Sequence, residues 1–286
     1  MRIEPMFHEE TSTLTYVVFD EHTLDAVVID PVLDYDPLTV STSTTALDKL
    51  LSFVKRQRLL LRGVLETHAH ADHLSGAAVL KERLGVPVVI GAGIVEVQAV
   101  FAEFFALPAS FAKDGSQFDR LVQHGERSSF GSLVVEAIAT PGHTPACITW
   151  RIGDTIFTGD SLFMPDAGTG RCDFPRGSAA ELWESIQRLY RLPDDTRVFV
   201  GHDYQPNDRA LHMETTIQQS KEENIQLRAT TTKEDFVRFR TTRDRQLSPP
   251  RLLFPSVQVN IDGGRLPPPE PNGQRLLRLP LNALKD

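Results

Sequence analysis

The stretch THAHADH, Thr67 to His73, comes just after the apolar run LLLRGVL, Leu59 to Leu65, and holds three of the chain's nine histidines. The run is short and apolar enough to predict a buried strand, so the histidines sit on the loop at its exit. Imidazoles crowd together chiefly when a cation gathers them, and neutral imidazole and ionised carboxylate are good donors to divalent metals. His68, His70, Asp72 and His73 therefore read as a metal-binding loop.

Outward from this loop, the neighbouring segments repeat one rhythm. LTYVVF (Leu14 to Phe19) and AVVI (Ala26 to Ile29) predict paired strands, the second stopped by Asp30 and Pro31. TTALDKLLSFVKRQ carries Leu47, Leu50, Leu51 and Val54 at helical spacing, and the helix GAAVLKERLG and the strand PVVI follow the histidine loop. A second set starts near Ser132 with the strands SLVVEAIAT, CITWRI and TIFTGD, the amphipathic helix SAAELWESIQRLYRL and the strand RVFVGHD. Two strand sets with outer helices imply an α/β protein of two face-to-face sheets, their loops gathered along one edge.

Three further motifs lie at strand exits, where sites form on sheet scaffolds: PGHT with His143, TGD with Asp160 and GHD with His202. Singly, each has an ordinary explanation as a turn or capping residue. Together with the histidine loop they predict a metal centre. After His202 the pattern changes to helical segments around METTIQQSKEENIQL and KEDFVRFRTTRD. Eight of the nineteen prolines follow from Pro249 onward, predicting extended, edge-covering structure or a partner contact.

At 286 residues, 41% hydrophobic and 24% charged, the composition is that of a folded globular chain. Thirty basic against thirty-eight acidic side chains give a net charge of -8, which offers no bulk attraction for nucleic acid or an anionic membrane. An anionic substrate would need a local basic pocket. Two cysteines, Cys147 and Cys172, make no disulfide framework, and no apolar run predicts a signal peptide or membrane span, so a reducing cytoplasm is expected. Cys172 is assigned no catalytic role.

The order His68-x-His70-x-Asp72-His73, then His143, Asp160 and His202, resembles the signature of the metallo-β-lactamase superfamily. That resemblance implies an αββα sandwich over residues 1–205, with residues 206–286 as a helical segment and Pro-rich extension packed on the same domain. Around Asp160 the stretch GDSLFMPDAGTGRCDFPRG, followed by HDY, is similar to the persulfide dioxygenase branch. The branch implies one Fe(II) per chain held by His68, His143 and Asp160, a two-histidine, one-carboxylate face that leaves positions open for substrate and O2.

On the same resemblance, His70, Asp72, His73 and His202 surround the iron or would take a second metal. Arg171, Tyr204 and Lys221 would bind the substrate, glutathione persulfide or a similar small persulfide, with Lys221 where relatives use an arginine. Relatives are commonly dimers, which leaves a homodimer as one arrangement. The rival is a glyoxalase II-like hydrolase of thioesters or lactones, with two zinc ions on all seven ligands. Neither reading calls for nucleic acid or membrane.

Overall fold

A computed structural model describes residues 1–283. From the N-terminus come β1 (Arg2–His8), β2 (Thr13–Phe19), β3 (Asp25–Ile29), β4 (Val32–Asp36), β5 (Ser41–Ser43), α1 (Thr45–Arg56), β6 (Leu60–Leu65) and β7 (Leu74–Ser75). Next are α2 (Ala77–Leu84), β8 (Val88–Gly91), α3 (Ile94–Phe104), β9 (Arg120–Val122), β10 (Arg127–Phe130), β11 (Leu133–Ala139), β12 (Ile148–Ile152) and β13 (Thr155–Phe157). The last are α4 (Ala179–Leu189), β14 (Arg197–Phe199), β15 (Glu214–Thr216), α5 (Ile217–Glu223), α6 (Lys233–Asp244) and α7 (Leu253–Asn260).

Two six-stranded sheets result, in the orders β1-β2-β3-β6-β8-β9 and β10-β11-β12-β13-β14-β15. The first begins as an antiparallel meander and turns parallel at β3–β6, where α1, α2 and α3 provide the successive crossovers. The second is antiparallel except for β13–β14, which α4 connects. Strand periodicity divides the core: on β2, Leu14, Tyr16 and Val18 face the second sheet and meet Trp150, Phe157 and Phe199. Their neighbours Val17 and Phe19 face α1, where Leu47, Leu50 and Phe53 cover them.

The outer face of the second sheet packs Ile138, Ile156 and Val198 against Leu182 and Ile186 of α4 and Phe236 of α6. The layers are therefore helix, sheet, sheet, helix, as the resemblance implied, with further helices after β15. One expectation fails. Within the Pro-rich tail, residues 253–260 form α7, and its Leu253 and Val257 join the core beneath the first sheet. Pro255 is accommodated because it lies in the first turn, where backbone N–H groups have no intrahelical partner.

Candidate metal centre

The histidine loop is gripped at both ends. β6 leads in, while β7 pairs with β4 through Val32 with Ser75 and Leu33 with Leu74, in a small sheet beside the main one. The loops bearing Asp160 and His202 approach closely because Gly159 and Gly201 touch backbone to backbone. A Cβ on Gly201 would lie 2.9 Å from Gly159, whose φ of +50° also suits glycine. β2 completes this edge: Leu14 N–H donates to the Gly201 carbonyl and Thr13 forms a bridge with His202.

Five buried imidazoles and two carboxylates converge there. His68, His143 and Asp160 form one group and Asp72, Asp160 and His202 another, the ligand atoms of each lying within 4.8 Å of one another. Asp160 joins the two: its Oδ2 lies 3.9 Å from His68 Nε2 and 3.6 Å from His143 Nε2, and its Oδ1 lies 3.2 Å from His202 Nε2. His70 and His73 make a third group with Asp72.

Four of the five rings are held by Nδ1 and turn Nε2 toward the cluster. His143 Nδ1–H donates to the Arg171 carbonyl at 2.6 Å and His202 Nδ1–H to the Ser12 carbonyl at 3.1 Å. His68 Nδ1 lies 3.0 Å from Thr67 Oγ1, and His73 Nδ1 lies 3.2 Å from Asp72 Oδ2. His70 Nε2 faces Asp30 Oδ1 at 3.1 Å and Glu66 Oε2 at 3.3 Å. His68 Nε2, both ring nitrogens of His70, His73 Nε2 and His202 Nε2 are buried without a hydrogen-bond partner, as is Asp160 Oδ1. Orphaned buried polar atoms are rare, and this set of imidazole and carboxylate donors fits a divalent metal.

The electrostatics agree. Burial and the neighbouring His70 drive the His68 pKa well below the ordinary histidine value and that of His73 down to about 4, so both offer lone pairs. Burial also opposes charge on His202, yet the Asp72 and Asp160 carboxylates raise its pKa to about 9. The Asp160 carboxyl, despite burial, is held well below its usual range by His202, His68 and His143. Carboxylates that favour positive charge at this point favour a divalent cation for the same reason.

Two carboxylates here were not among the residues singled out by sequence. Asp30, read as a strand stop, has φ of 49° at the end of β3 and accepts the Thr67 N–H and hydroxyl, both at 2.7 Å. Glu66 accepts from Ser75 Oγ and shares His70 with Asp30. Burial raises the Glu66 pKa. Asn260 of α7 was missed as well. Its Nδ2 donates to the His70 and His73 carbonyls, each at 2.8 Å, and its Oδ1 accepts the Ser75 N–H at 2.7 Å. The one available signal was a pair of amides, Gln258 and Asn260, in the otherwise largely apolar run LLFPSVQVNI.

The three expected substrate residues separate. Tyr204 stacks on His202 with ring centroids 5.5 Å apart and planes 7° from parallel, and it lines an open cleft of about 250 Å³ with Asp72, His73, Tyr35 and Arg251. Arg171 is committed elsewhere: its guanidinium holds both Asp173 oxygens at 2.6 Å and the Ser248 carbonyl at 2.7 Å, while its own carbonyl holds His143. Lys221 is not brought to the cluster. It pairs with Asp194 at 2.5 Å, and Asp194 precedes β14 whereas His202 follows it, which puts the pair at the opposite end of that strand.

The sequence pattern of the Metallo-beta-lactamase superfamily matches residues 9–202. The chain belongs to this superfamily. Over 99% of its length it is 45% identical to the whole of a probable metallo-hydrolase of Burkholderia pseudomallei. It is 44% identical, across 99% of this chain and 98% of the other, to glyoxylase B2 of Dictyostelium discoideum. With the mitochondrial persulfide dioxygenase ETHE1 of Homo sapiens it shares 30% identity, covering 82% of this chain and 79% of the other. The crystal structure of ETHE1 from Myxococcus xanthus superposes with a TM-score of 0.73 at 34% identity, covering 93% of this chain and 100% of that one. The chain also spans 65% of a longer beta-lactamase hydrolase-like protein of Xylella fastidiosa, at 46% identity. A metal-dependent enzyme of this superfamily fits both the donor set and the relatives. No helix among the described residues is long and apolar enough to cross a membrane.

Proposed function

We propose that the chain is a persulfide dioxygenase that holds one Fe(II) on His68, His143 and Asp160. One persulfide, one O2 and one water give one thiol and one sulfite, both atoms of O2 ending on the outer sulfur. The observation that carries this reading is the buried His68–His143–Asp160 face, two imidazoles and one carboxylate with ligand atoms within 4.8 Å. The likeness to the two ETHE1 proteins supports it. Bound iron would supply a redox centre at which sulfur and O2 meet as neighbours, replacing a collision with an intramolecular encounter.

The chain's own groups orient and exclude. Thr67 and the Arg171 carbonyl fix the ring planes of His68 and His143, and burial of all three donors keeps bulk water from competing. Tyr204, more than half exposed and stacked on His202, lies at the cleft through which a small persulfide would enter.

A second reading rests on the bridging position of Asp160 and on the Dictyostelium and Burkholderia relatives: a dinuclear zinc hydrolase of thioesters or lactones, the second metal on Asp72, Asp160 and His202. Metal analysis of aerobically purified chain, with oxygen uptake on adding glutathione persulfide, separates the two. About one iron per chain and prompt uptake are expected. Two zinc ions per chain with no uptake, and hydrolysis of a thioester, would replace the dioxygenase reading with the hydrolase.

A further inference from the structure

A buried ion pair stands behind the carbonyl that holds His143. On α6, Arg240 Nη2 meets Asp244 Oδ1 at 2.5 Å, and both side chains are nearly inaccessible, at 2% and 4%. Arg240 Nη1 also donates to Gln226 Oε1 at 2.9 Å and to the Thr169 carbonyl at 3.2 Å. The other oxygen of Asp244, Oδ2, accepts the Cys172 N–H at 2.8 Å. That N–H and the Arg171 carbonyl belong to the same peptide unit, and the carbonyl accepts from His143 Nδ1 at 2.6 Å. The atoms therefore run in one line of donors and acceptors, from carboxylate through one peptide group to one imidazole.

The geometry points to Asp244 as a positioning residue for His143, acting through the Arg171–Cys172 peptide. An anion accepting from a peptide N–H draws the amide resonance toward its charge-separated form and makes the carbonyl oxygen a stronger acceptor. A stronger acceptor at Nδ1–H makes the opposite nitrogen, Nε2, a better electron-pair donor, as a carboxylate touching the ring directly would. Arg240 keeps the Asp244 charge tolerable in a buried place, and Gln226 and the Thr169 carbonyl accept from its Nη1 in turn. Replacing a buried ion pair by apolar groups of similar volume is often neutral or stabilising, so stability alone gives a weak account of why charges occupy this position. Residues beyond β15 thereby extend into the metal centre from both sides, Asn260 behind His70 and His73 and Asp244 behind His143.

This inference rests on the proposed role of His143 as a metal ligand, and its test keeps the two apart. The full chain is loaded with zinc, which is diamagnetic, and read by the His143 Nδ1–H proton resonance and by zinc affinity against a competing chelator. Asp244→Asn retains an acceptor for the Cys172 N–H without the charge. An upfield shift of the His143 proton and about tenfold weaker zinc binding are expected, the lower end of the range for groups orienting metal ligands. The pair Arg240→Gln with Asp244→Asn removes both charges together and should give the same two changes if the single variant does not fold. An unmoved resonance with unchanged affinity in either folded variant overturns the relay. Should neither fold, couplings across the hydrogen bonds in the wild-type chain, Cys172 nitrogen to Asp244 carboxyl carbon and His143 Nδ1 to the Arg171 carbonyl carbon, decide it, their absence being fatal. His143→Ala that keeps wild-type zinc affinity would sink the ligand assignment; loss of zinc there with Asp244→Asn unaffected would sink only the relay.

Discussion

Replacing Asn260 tests how far the C-terminal helix is part of the metal loop. Its amide satisfies three buried backbone groups, the Ser75 N–H and the His70 and His73 carbonyls, and no other orientation of the amide would satisfy all three. Asn260→Ala leaves them without partners in a site that is 3% exposed. At about 1–3 kcal/mol for each group, with partial relaxation, the loss is roughly 3–6 kcal/mol. That is a large share of the ~5–15 kcal/mol that holds a domain together. At a urea dependence of about 3 kcal/mol per molar, the unfolding midpoint falls by roughly 1–2 M.

Asn260→Asp sharpens the test because shape and the acceptor for Ser75 are kept. Its second oxygen faces the two carbonyls, so at pH 7 this variant should be at least as destabilised as the alanine. Burial beside acceptors raises the new carboxyl's folded pKa above its unfolded value of about 4. The unfolded chain then ionises first, and the penalty grows as pH rises above ~4 and saturates above the folded pKa. Lowering the pH from 7 toward 5 should therefore bring Asn260→Asp closer to wild type while Asn260→Ala stays where it was. Urea titrations of all three chains at pH 5, 6 and 7 give the comparison. An aspartate variant as stable as wild type at pH 7, or one whose deficit relative to alanine does not shrink on acidification, refutes the hydrogen-bond assignment.

Two other outcomes follow from the geometry. Gly201→Ala puts a methyl 2.9 Å from the Gly159 backbone, so the Asp160 and His202 loops must part; metal content after dialysis should fall while circular dichroism stays native, and unchanged metal content would mean the close approach is dispensable. Lys221→Ala removes a surface pair worth at most about 1 kcal/mol and stands far from the cluster, so steady-state KM for any substrate of this chain should hold within twofold. A tenfold rise in KM would return Lys221 to the binding site.

The donors were legible because they are local. Four of them occupy six consecutive positions, and the others stand one residue after a glycine at a strand exit, so spacing alone identified them. The strands read well where β-branched and aromatic residues ran together, as in LTYVVF. β1, with Pro5 and charges among its apolar residues, and α3, apolar nearly all round, showed neither period cleanly, and neither was singled out. Arg171 illustrates the limit for charges. The resemblance implied a substrate-binding guanidinium there, and the structure pairs it with Asp173, two residues on.

The proline tail misled for a related reason. Prolines argue against a continued helix, but they say nothing about a two-turn helix that begins just before one of them, and eight residues suffice for Asn260 to reach carbonyls some 190 positions earlier in the chain. No period or motif encodes that meeting, because the amide's partners are main-chain atoms whose side chains face elsewhere. The same holds for Asp244, whose partner is the N–H of Cys172. Residues that bind the ion are chosen by element chemistry and cluster in sequence, whereas those that aim them need only a hydrogen bond to backbone, and any segment folding back to the right place can supply one. An enzyme of this fold can thus acquire new control over its metal from a segment outside the signature without changing one ligand. In this chain the segment after β15 reaches the backbone of the donor loops at two points, through Asn260 and Asp244, which makes its loss by truncation a test of the centre as well as of the core: removal of residues 245–286, which spares Asp244 but takes Asn260, should weaken metal retention more than Asn260→Ala does, since α7 also leaves the core under the first sheet.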